Sequence, residues 1–572
     1  MQSPDNCFTL FSESVASYSL PERFTFPFCY DPHPLCVLAA TELQQHLVSQ
    51  TRWRHNFGIN KLDAVSHDVA RACKDDEIYG KMFGVLLVNN VQGELGYLSA
   101  FSGKIADQNL LPNFVPPVFN MLAEDGFFRG EQAKISQISD QLRVLESNPK
   151  ITILENTLAE EIKTADVNIE QLRNQMIAGR KARKTQRIDA KNSLSETEYQ
   201  ALIEHLGKKS VLEKVQSKNT KRYWQARVDT AQQEHDQVMD EITALRKKRK
   251  AMSNALQNKL FEQYRFLNIR GEEKNLGTIF KETYFQTPPA GSGECAAPKL
   301  LNYAFKHGMQ PLALAEFWWG ASPKSEVRQH GQFYPACKGK CQPILEHMLN
   351  GVPMDPNIML NNPAAGKDIT IVYQDNDMAI INKPAEFLSV PGKNIQDSVY
   401  LRMQQMFPKA TGPLIVHRLD MSTSGLMVIA LTKKANKRLQ KQFVNRTVEK
   451  RYEANIDGLL KQNEGLISLP LRGDIYDRPR QIVCFEHGKP AETKWQVVEQ
   501  KNNQTRVHLY PKTGRTHQLR VHCAHAQGLN KPIIGDDLYG KKTKRLHLHA
   551  GYLALEHPIT TEWMTFEIEA DF

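Results

Sequence analysis

Long apolar runs are absent: no stretch of the chain approaches the ~18 uninterrupted apolar residues that a bilayer-spanning helix requires. Residues 1–10 also lack the basic-then-apolar pattern of an export signal. Cysteine is scarce, with nine in 572 residues, which argues against a disulfide framework and for a reducing cytoplasm. Strong charge of one sign is missing too; a formal net charge of +10 permits a polyanionic partner without requiring one. Hydrophobic residues make up 41% of the chain, ordinary for globular protein. A length of 572 residues exceeds what one hydrophobic core supports, so several domains are expected.

Residues 1–128 read as an α/β region. Lys81-Met-Phe-Gly-Val-Leu-Leu-Val-Asn-Asn90 and Gly93-Glu-Leu-Gly-Tyr-Leu-Ser-Ala-Phe101 look like two strands joined by a short polar turn. Residues 129–268 change character. Ile135, Ile138, Leu142 and Leu145 alternate at spacings of three and four, and Leu158, Ile162, Ala165, Ile169 and Leu172 repeat the pattern after Pro149. A second arm carries Val228, Ala231, His235, Val238, Ile242 and Leu245. This is the pattern of an antiparallel coiled-coil hairpin inserted into the α/β domain, and it offers a surface for self-association. Ser195-Glu-Thr-Glu198 fits a capping box opening a short helix between the arms. Cations cluster at Arg180, Lys181, Arg183, Lys184 and Arg187, and again over 246–250. They form either a solvated helix face or a phosphate-binding arm.

Residues 269–352 carry cysteines and are expected to fold with 1–128. Gly293-Glu-Cys-Ala-Ala-Pro-Lys-Leu-Leu301 begins a helix, 311–319 reads as a strand, and 334–345 as a loop entering a helix. Cys295, Cys337 and Cys341 have the ligand types of a three-thiolate zinc site, but no fourth ligand is evident and buried free thiols are the preferred reading. The order of elements weakly resembles the zinc deaminases, whose glutamate stands two residues after the first ligand. Here that position is Ala297, and the second cysteine pair is one residue too widely spaced. Residues 353–368 read as a linker, leaving 369–572 as a final unit.

That unit contains Val416-His-Arg-Leu-Asp-Met-Ser-Thr-Ser-Gly-Leu426, a carboxylate between an apolar approach and a small-residue turn. Ile380-Ile-Asn-Lys-Pro-Ala-Glu-Phe-Leu-Ser-Val-Pro-Gly392 precedes it. Lys450-Arg-Tyr-Glu-Ala454, Thr513-Gly-Arg-Thr-His-Gln-Leu-Arg-Val-His522, Pro532-Ile-Ile-Gly-Asp536 and Arg545-Leu-His-Leu-His-Ala550 follow. In wording and in order these segments resemble the RluA-type RNA pseudouridine synthases, and come closest to the branch acting on both a 23S rRNA hairpin loop and a tRNA anticodon stem-loop. The resemblance implies an α+β synthase fold around a largely antiparallel mixed sheet, an isomerase of RNA uridine, and no cofactor for catalysis. It implies that Asp420 is the catalytic nucleophile, that Tyr452 packs on the target base and is placed to assist the final proton removal from carbon, and that Arg520 pairs with Asp420 and keeps it ionised. It further implies that Arg418 enters the RNA as the base leaves its stack and that Leu548 walls the pocket. His417, Lys383, Arg515 and Lys450 are expected on the RNA side of the site, with Lys441, Arg446 and Arg451 as further phosphate contacts. Metal is not expected at His517, His522, His547 or His549, which look strand-borne at alternating positions. A binding-only assembly factor on the same fold is the competing reading, and the intact trio of Asp420, Tyr452 and Arg520 speaks against it.

Overall fold

The structure, a computed structural model, describes residues 7–50, 57–59 and 79–572; most of the segment weighed as an export signal lies outside them. The chain forms two compact units, one built from residues 1–120 and 261–572 and the other from 121–260.

In the first unit, Lys81–Asn89 and Leu95–Phe101 form an antiparallel hairpin. The strand Gln310–Trp319 pairs antiparallel with the free edge of Lys81–Asn89, and Phe8–Thr9 closes the other side. The central strand is a continuous apolar run because both its faces are covered. Helix Pro34–Ser49 covers one face, its Leu35, Ala39 and Leu43 packing in one core with Phe83 and Phe317. Helix Ala296–Lys306 is the second buried helix of this region, with Ala296, Ala297, Leu300 and Leu301 buried. A Cβ on Gly84 would lie 2.9 Å from that of Ala296, so only glycine admits this helix so close to the sheet.

The second unit holds the helices Phe127–Glu146 and Pro149–Ser193 and most of Glu196–Gln263. Asn148 caps the second of them by accepting the amide of Lys150 at 3.0 Å, with Pro149 at its first position. The ion pairs Glu146–Arg246, Glu161–Arg227 and Arg183–Glu213 join residues whose numbers rise on one side and fall on the other, so the last helix runs antiparallel to its neighbours. Ser195 and Glu198 make the expected capping contact, Oγ to Oε2 at 2.6 Å. It opens a single helix of 68 residues instead of a short tip helix, because neither glycine nor proline interrupts the return arm after Gly207. Ile138, Leu142 and Ile242 meet in one apolar cluster. Ile162, expected on the seam, is exposed, and Ala165 is buried; Leu158 and Glu161 are half-buried.

Residues 370–567 build a sheet of ten strands. Its pairings are antiparallel except that of Ser424–Ala430 with Leu548–Glu556, which is parallel. All seven residues of Ser424–Ala430 are buried. Gly425, at φ 116°, lies against Ala550 so closely that a Cβ would sit 2.4 Å from the Ala550 carbonyl oxygen. Gln518–Ala524 is a helix, which corrects the strand reading of the segment holding His517 and His522. His517 adopts a left-handed conformation, φ 52°, and turns the chain into it. The 353–368 segment is pinned at both ends: Pro353 and Asp355 bond the backbone of Phe24, and Ala364 joins a buried core.

Candidate active site

The loop between the short strand Leu414–Ile415 and Ser424–Ala430 carries Asp420. Its neighbours are fixed. Lys383 is fully buried and its Nζ donates to the carbonyls of Pro384, Phe387 and Met421 at 2.9, 2.9 and 3.0 Å. Those three acceptors satisfy all three donors of an ammonium. Ser389 Oγ donates to the Leu419 carbonyl at 2.7 Å and accepts the Leu419 amide at 3.1 Å. The residues on both sides of Asp420 are thus anchored to the 383–389 segment. Burial pulls the Lys383 amine down to about 7, against the opposing pull of Glu386 and Asp420.

A cleft of about 1000 Å³ opens above this loop. Asp420, Tyr452, Arg520, Arg418, His417, Leu548, Arg515 and Lys450 all line it. Lys383 does not; it lies beneath the wall and acts on the cleft through the loop. Tyr452 sits where the strand Glu449–Asp457 bulges against Leu548–Glu556. Burial, and then the nearby charge of Asp420, push its phenol well above the ordinary value. Leu548 is buried and pairs with Ala454.

The expected ion pair between Arg520 and Asp420 is not made. The guanidinium is held by Asp536, Nε to Oδ2 at 2.9 Å, and by Asp537 at 2.8 Å. Asp536 is fully buried and also accepts the amides of Leu538 and Tyr539. Burial would raise its carboxyl, but Arg520 and these amides hold it below the ordinary value. Tyr539 completes the assembly: its ring lies 5.4 Å from the Arg520 guanidinium, and its hydroxyl contacts His517 Nδ1 at 2.9 Å. Asp536 stood at the end of a recognised motif, yet its partner was not legible, because nothing local in sequence says which carboxylate a buried arginine will meet.

His417 is a packing residue in this geometry. It stacks on Phe443 at 4.6 Å, and its Nε2 accepts the Val428 amide at 3.1 Å. That bond requires a neutral ring, in keeping with burial and then Lys450 lowering it to about 3. Arg418 is exposed at the rim. Arg515 Nε donates to the Pro490 carbonyl at 3.1 Å. Of the outlying cations, Arg446 lines the cleft, while Arg451 is paired with Glu567 at 2.5 Å. His522 bonds Thr493 and the Leu469 carbonyl, and His549 bonds Ser424 through Nδ1.

Residues 377–525 match the family of RNA pseudouridylate synthases. The dual-specificity RNA pseudouridine synthase RluA of Escherichia coli K12 is 45% identical over 219 residues, 37% of this chain and 97% of that protein. The chain belongs to the RluA-type RNA pseudouridine synthases. It is accordingly an isomerase that converts uridine in RNA to pseudouridine, chemistry that needs no cofactor. The RluA protein of Yersinia pestis is 46% identical over 210 residues, 35% of this chain and 99% of that protein. Human RNA pseudouridylate synthase domain containing 1 is 29% identical, with a TM-score of 0.31 over 38% of this chain and 87% of that one. The residues matched by the family model, 377–525, include Asp420, Tyr452 and Arg520 of the cleft.

Away from the cleft, the sulfurs of Cys295, Cys337 and Cys341 lie within 4.8 Å of one another. No helix of the described residues is long and apolar enough to cross a membrane.

Proposed function

We propose that this cleft isomerises uridines of a 23S rRNA hairpin loop, a tRNA anticodon stem-loop or both, with the Asp420 carboxylate as nucleophile. The observation that carries the reading is the anchoring of Asp420. The carboxylate lines an open cleft on a loop fixed on both sides by Lys383 and Ser389, and among the described residues it has no hydrogen-bonded or ionic partner of its own. A group that must meet an incoming ribose or base is thereby aimed without being occupied.

Pseudouridine formation breaks the ribose–nitrogen bond, turns the base and rejoins it through carbon. As a nucleophile the carboxylate can attack either the sugar or the base; removal of a sugar proton would instead make it a general base. Tyr452 faces the same space, and the upward shift of its phenol by burial and by Asp420 keeps it neutral. That suits packing on a flipped base better than service as a phenolate. Arg418 at the rim is free to enter the stack that the base leaves. Lys450, Arg446 and Arg515 supply positive charge around the opening. The antiparallel helices of 121–260 act as a coiled-coil arm that grips RNA outside the cleft, and the chain works in a reducing cytoplasm.

The test is a single-nucleotide pseudouridine map of rRNA and tRNA in cells lacking the gene. Complementation with the wild-type chain should restore the missing sites, and Asp420→Asn should restore none. Product formed by Asp420→Asn would remove the nucleophile assignment. Restored sites lying only in other RNAs would remove the substrate assignment and leave the chemistry.

A further inference from the structure

The three clustered cysteines lie in a part of the chain that the synthase reaction does not use. Cys295 is the N-cap of helix Ala296–Lys306, and Cys341 is the N-cap of helix Gln342–Met348. Cys337 stands in the loop entering the latter. The Cys337 and Cys341 sulfurs are 3.6 Å apart, and Cys295 joins them from a separate segment to keep all three within 4.8 Å. Tetrahedral zinc with sulfur at ~2.3 Å requires sulfur–sulfur separations of roughly 3.8 Å. Buried free thiols have no reason to converge in this way, since apolar packing disperses them among carbon neighbours.

The surroundings supply a fourth element. Glu316, on the strand Gln310–Trp319, is buried, and its Oε1 accepts the amide of Ala297 at 3.2 Å. Ala297 is two residues past Cys295, so the carboxylate lies at the start of the helix that Cys295 caps. Among the described residues Glu316 makes no ion pair, and its side chain makes a single hydrogen bond, that to the Ala297 amide. Three thiolates leave one position of a tetrahedral ion open. Among the described residues, no other histidine, cysteine or acidic side chain joins the three sulfurs to close it. Cys295 and Cys337 are only partly buried, so solvent can reach that position.

We propose that Cys295, Cys337 and Cys341 bind one zinc ion as three thiolates, with a water as fourth ligand held by Glu316. A three-ligand zinc with an exchangeable water is the arrangement of hydrolytic rather than structural sites. The glutamate absent from position 297 of the sequence is then supplied from the neighbouring strand, as a positioning residue for the water.

The full-length chain, purified from zinc-replete cells, should carry one zinc per chain by elemental analysis. X-ray absorption at the zinc edge should show three sulfurs and one oxygen or nitrogen. Titration with a mercurial reagent should release the ion only after the partly exposed free thiols such as Cys29 and Cys484 have reacted, a measurement that needs no variant. Cys337→Ser should lose the metal while keeping a wild-type far-UV circular dichroism spectrum. Glu316→Gln should keep the zinc but shift the visible d–d bands of the cobalt-substituted protein, which a purely structural glutamate would leave in place. Zinc below a tenth of an equivalent in the folded wild-type chain overturns the site. A four-sulfur shell, or cobalt bands unmoved by Glu316→Gln, overturns the water and the role of Glu316.

Discussion

Arg328 and Asp477 form an ion pair, Nη2 to Oδ2 at 3.1 Å, that ties the cysteine-bearing region to the synthase region. Arg328 also lies 4.9 Å over the ring of Tyr334, which Arg480 approaches from 5.2 Å. Gly339 adds a backbone bond to Tyr476 at 2.7 Å. The 474–480 segment is thus braced from outside the region shared with RluA, and its Pro479 lines the cleft.

Arg328→Ala should therefore act on the synthase. Removing one partner of a largely buried pair costs about 3–5 kcal/mol, discounted here because Asp477 retains some exposure. An apparent loss of about 2 kcal/mol in urea unfolding is expected on that basis, with a several-fold rise in KM for RNA and little change in kcat. An unaltered KM would show that the bracing does not reach the cleft wall.

Lys383 should split the kinetic constants the other way. It touches no substrate in this geometry, yet its bond to the Met421 carbonyl fixes the residue after Asp420. Lys383→Met leaves three carbonyls without that donor, and displacement of a catalytic group by ~1 Å can cost roughly 10²-fold in rate. Kcat should fall by about that factor at unchanged KM. Arg should not substitute, because a planar fork cannot meet three acceptors arranged around one nitrogen. Full activity in Lys383→Met would place the loop under other control.

Much of this was legible in the sequence, and the reasons for the rest are local. Lys81–Asn89 and Leu95–Phe101 announced themselves by composition and turn residues. The cleft residues announced themselves by motif, since eight of the nine named for it line one space. The helix Gln518–Ala524 was missed because its alternating Gln-Leu-Arg-Val-His string has strand periodicity, and the turn at His517 that overrides it is a backbone event. The partner of Arg520 was misassigned because pairing is settled by tertiary approach, in which Asp536 arrives fully buried with two amide bonds already made. Glu316 gave no signal, since the carboxylate that accepts the Ala297 amide comes from the strand Gln310–Trp319 and not from the helix that Cys295 caps.

The buried histidines set an acid limit. Burial and then Lys450 lower His417 to about 3, burial and then Arg520 lower His517 to about 4, and burial lowers His522 to about 4. In the unfolded chain each takes its proton near ~6.5, so the unfolded state binds more protons below that pH. Stability should begin to fall near pH ~6.5 as acid is added, by about 1 kcal/mol per pH unit for each such group until its folded value is reached. Chemical denaturation at about pH 7.5, 6 and 5, on either side of that value, measures this. A stability that stays flat across the series would mean that these rings accept protons in the folded state.

The two basic clusters of the helical arm should behave differently from each other. Arg183 is buried and its Nη1 meets Glu213 at 2.5 Å, so it is committed to the hairpin. Lys247, Lys248, Arg249 and Lys250 are exposed, and among the described residues they have no acidic partner. Each such cation that neutralises a phosphate contributes ~0.7–0.9 to the slope of log K against log salt. Reversing these four charges should lower the magnitude of that slope by up to about 3 and weaken RNA binding, while activity at saturating RNA stays near wild type. Arg183→Met should instead lower the melting temperature of the arm and leave the slope close to wild type. Equal slopes for the charge reversal and the wild type would reduce 247–250 to a solvated face and put RNA capture on the cleft rim alone.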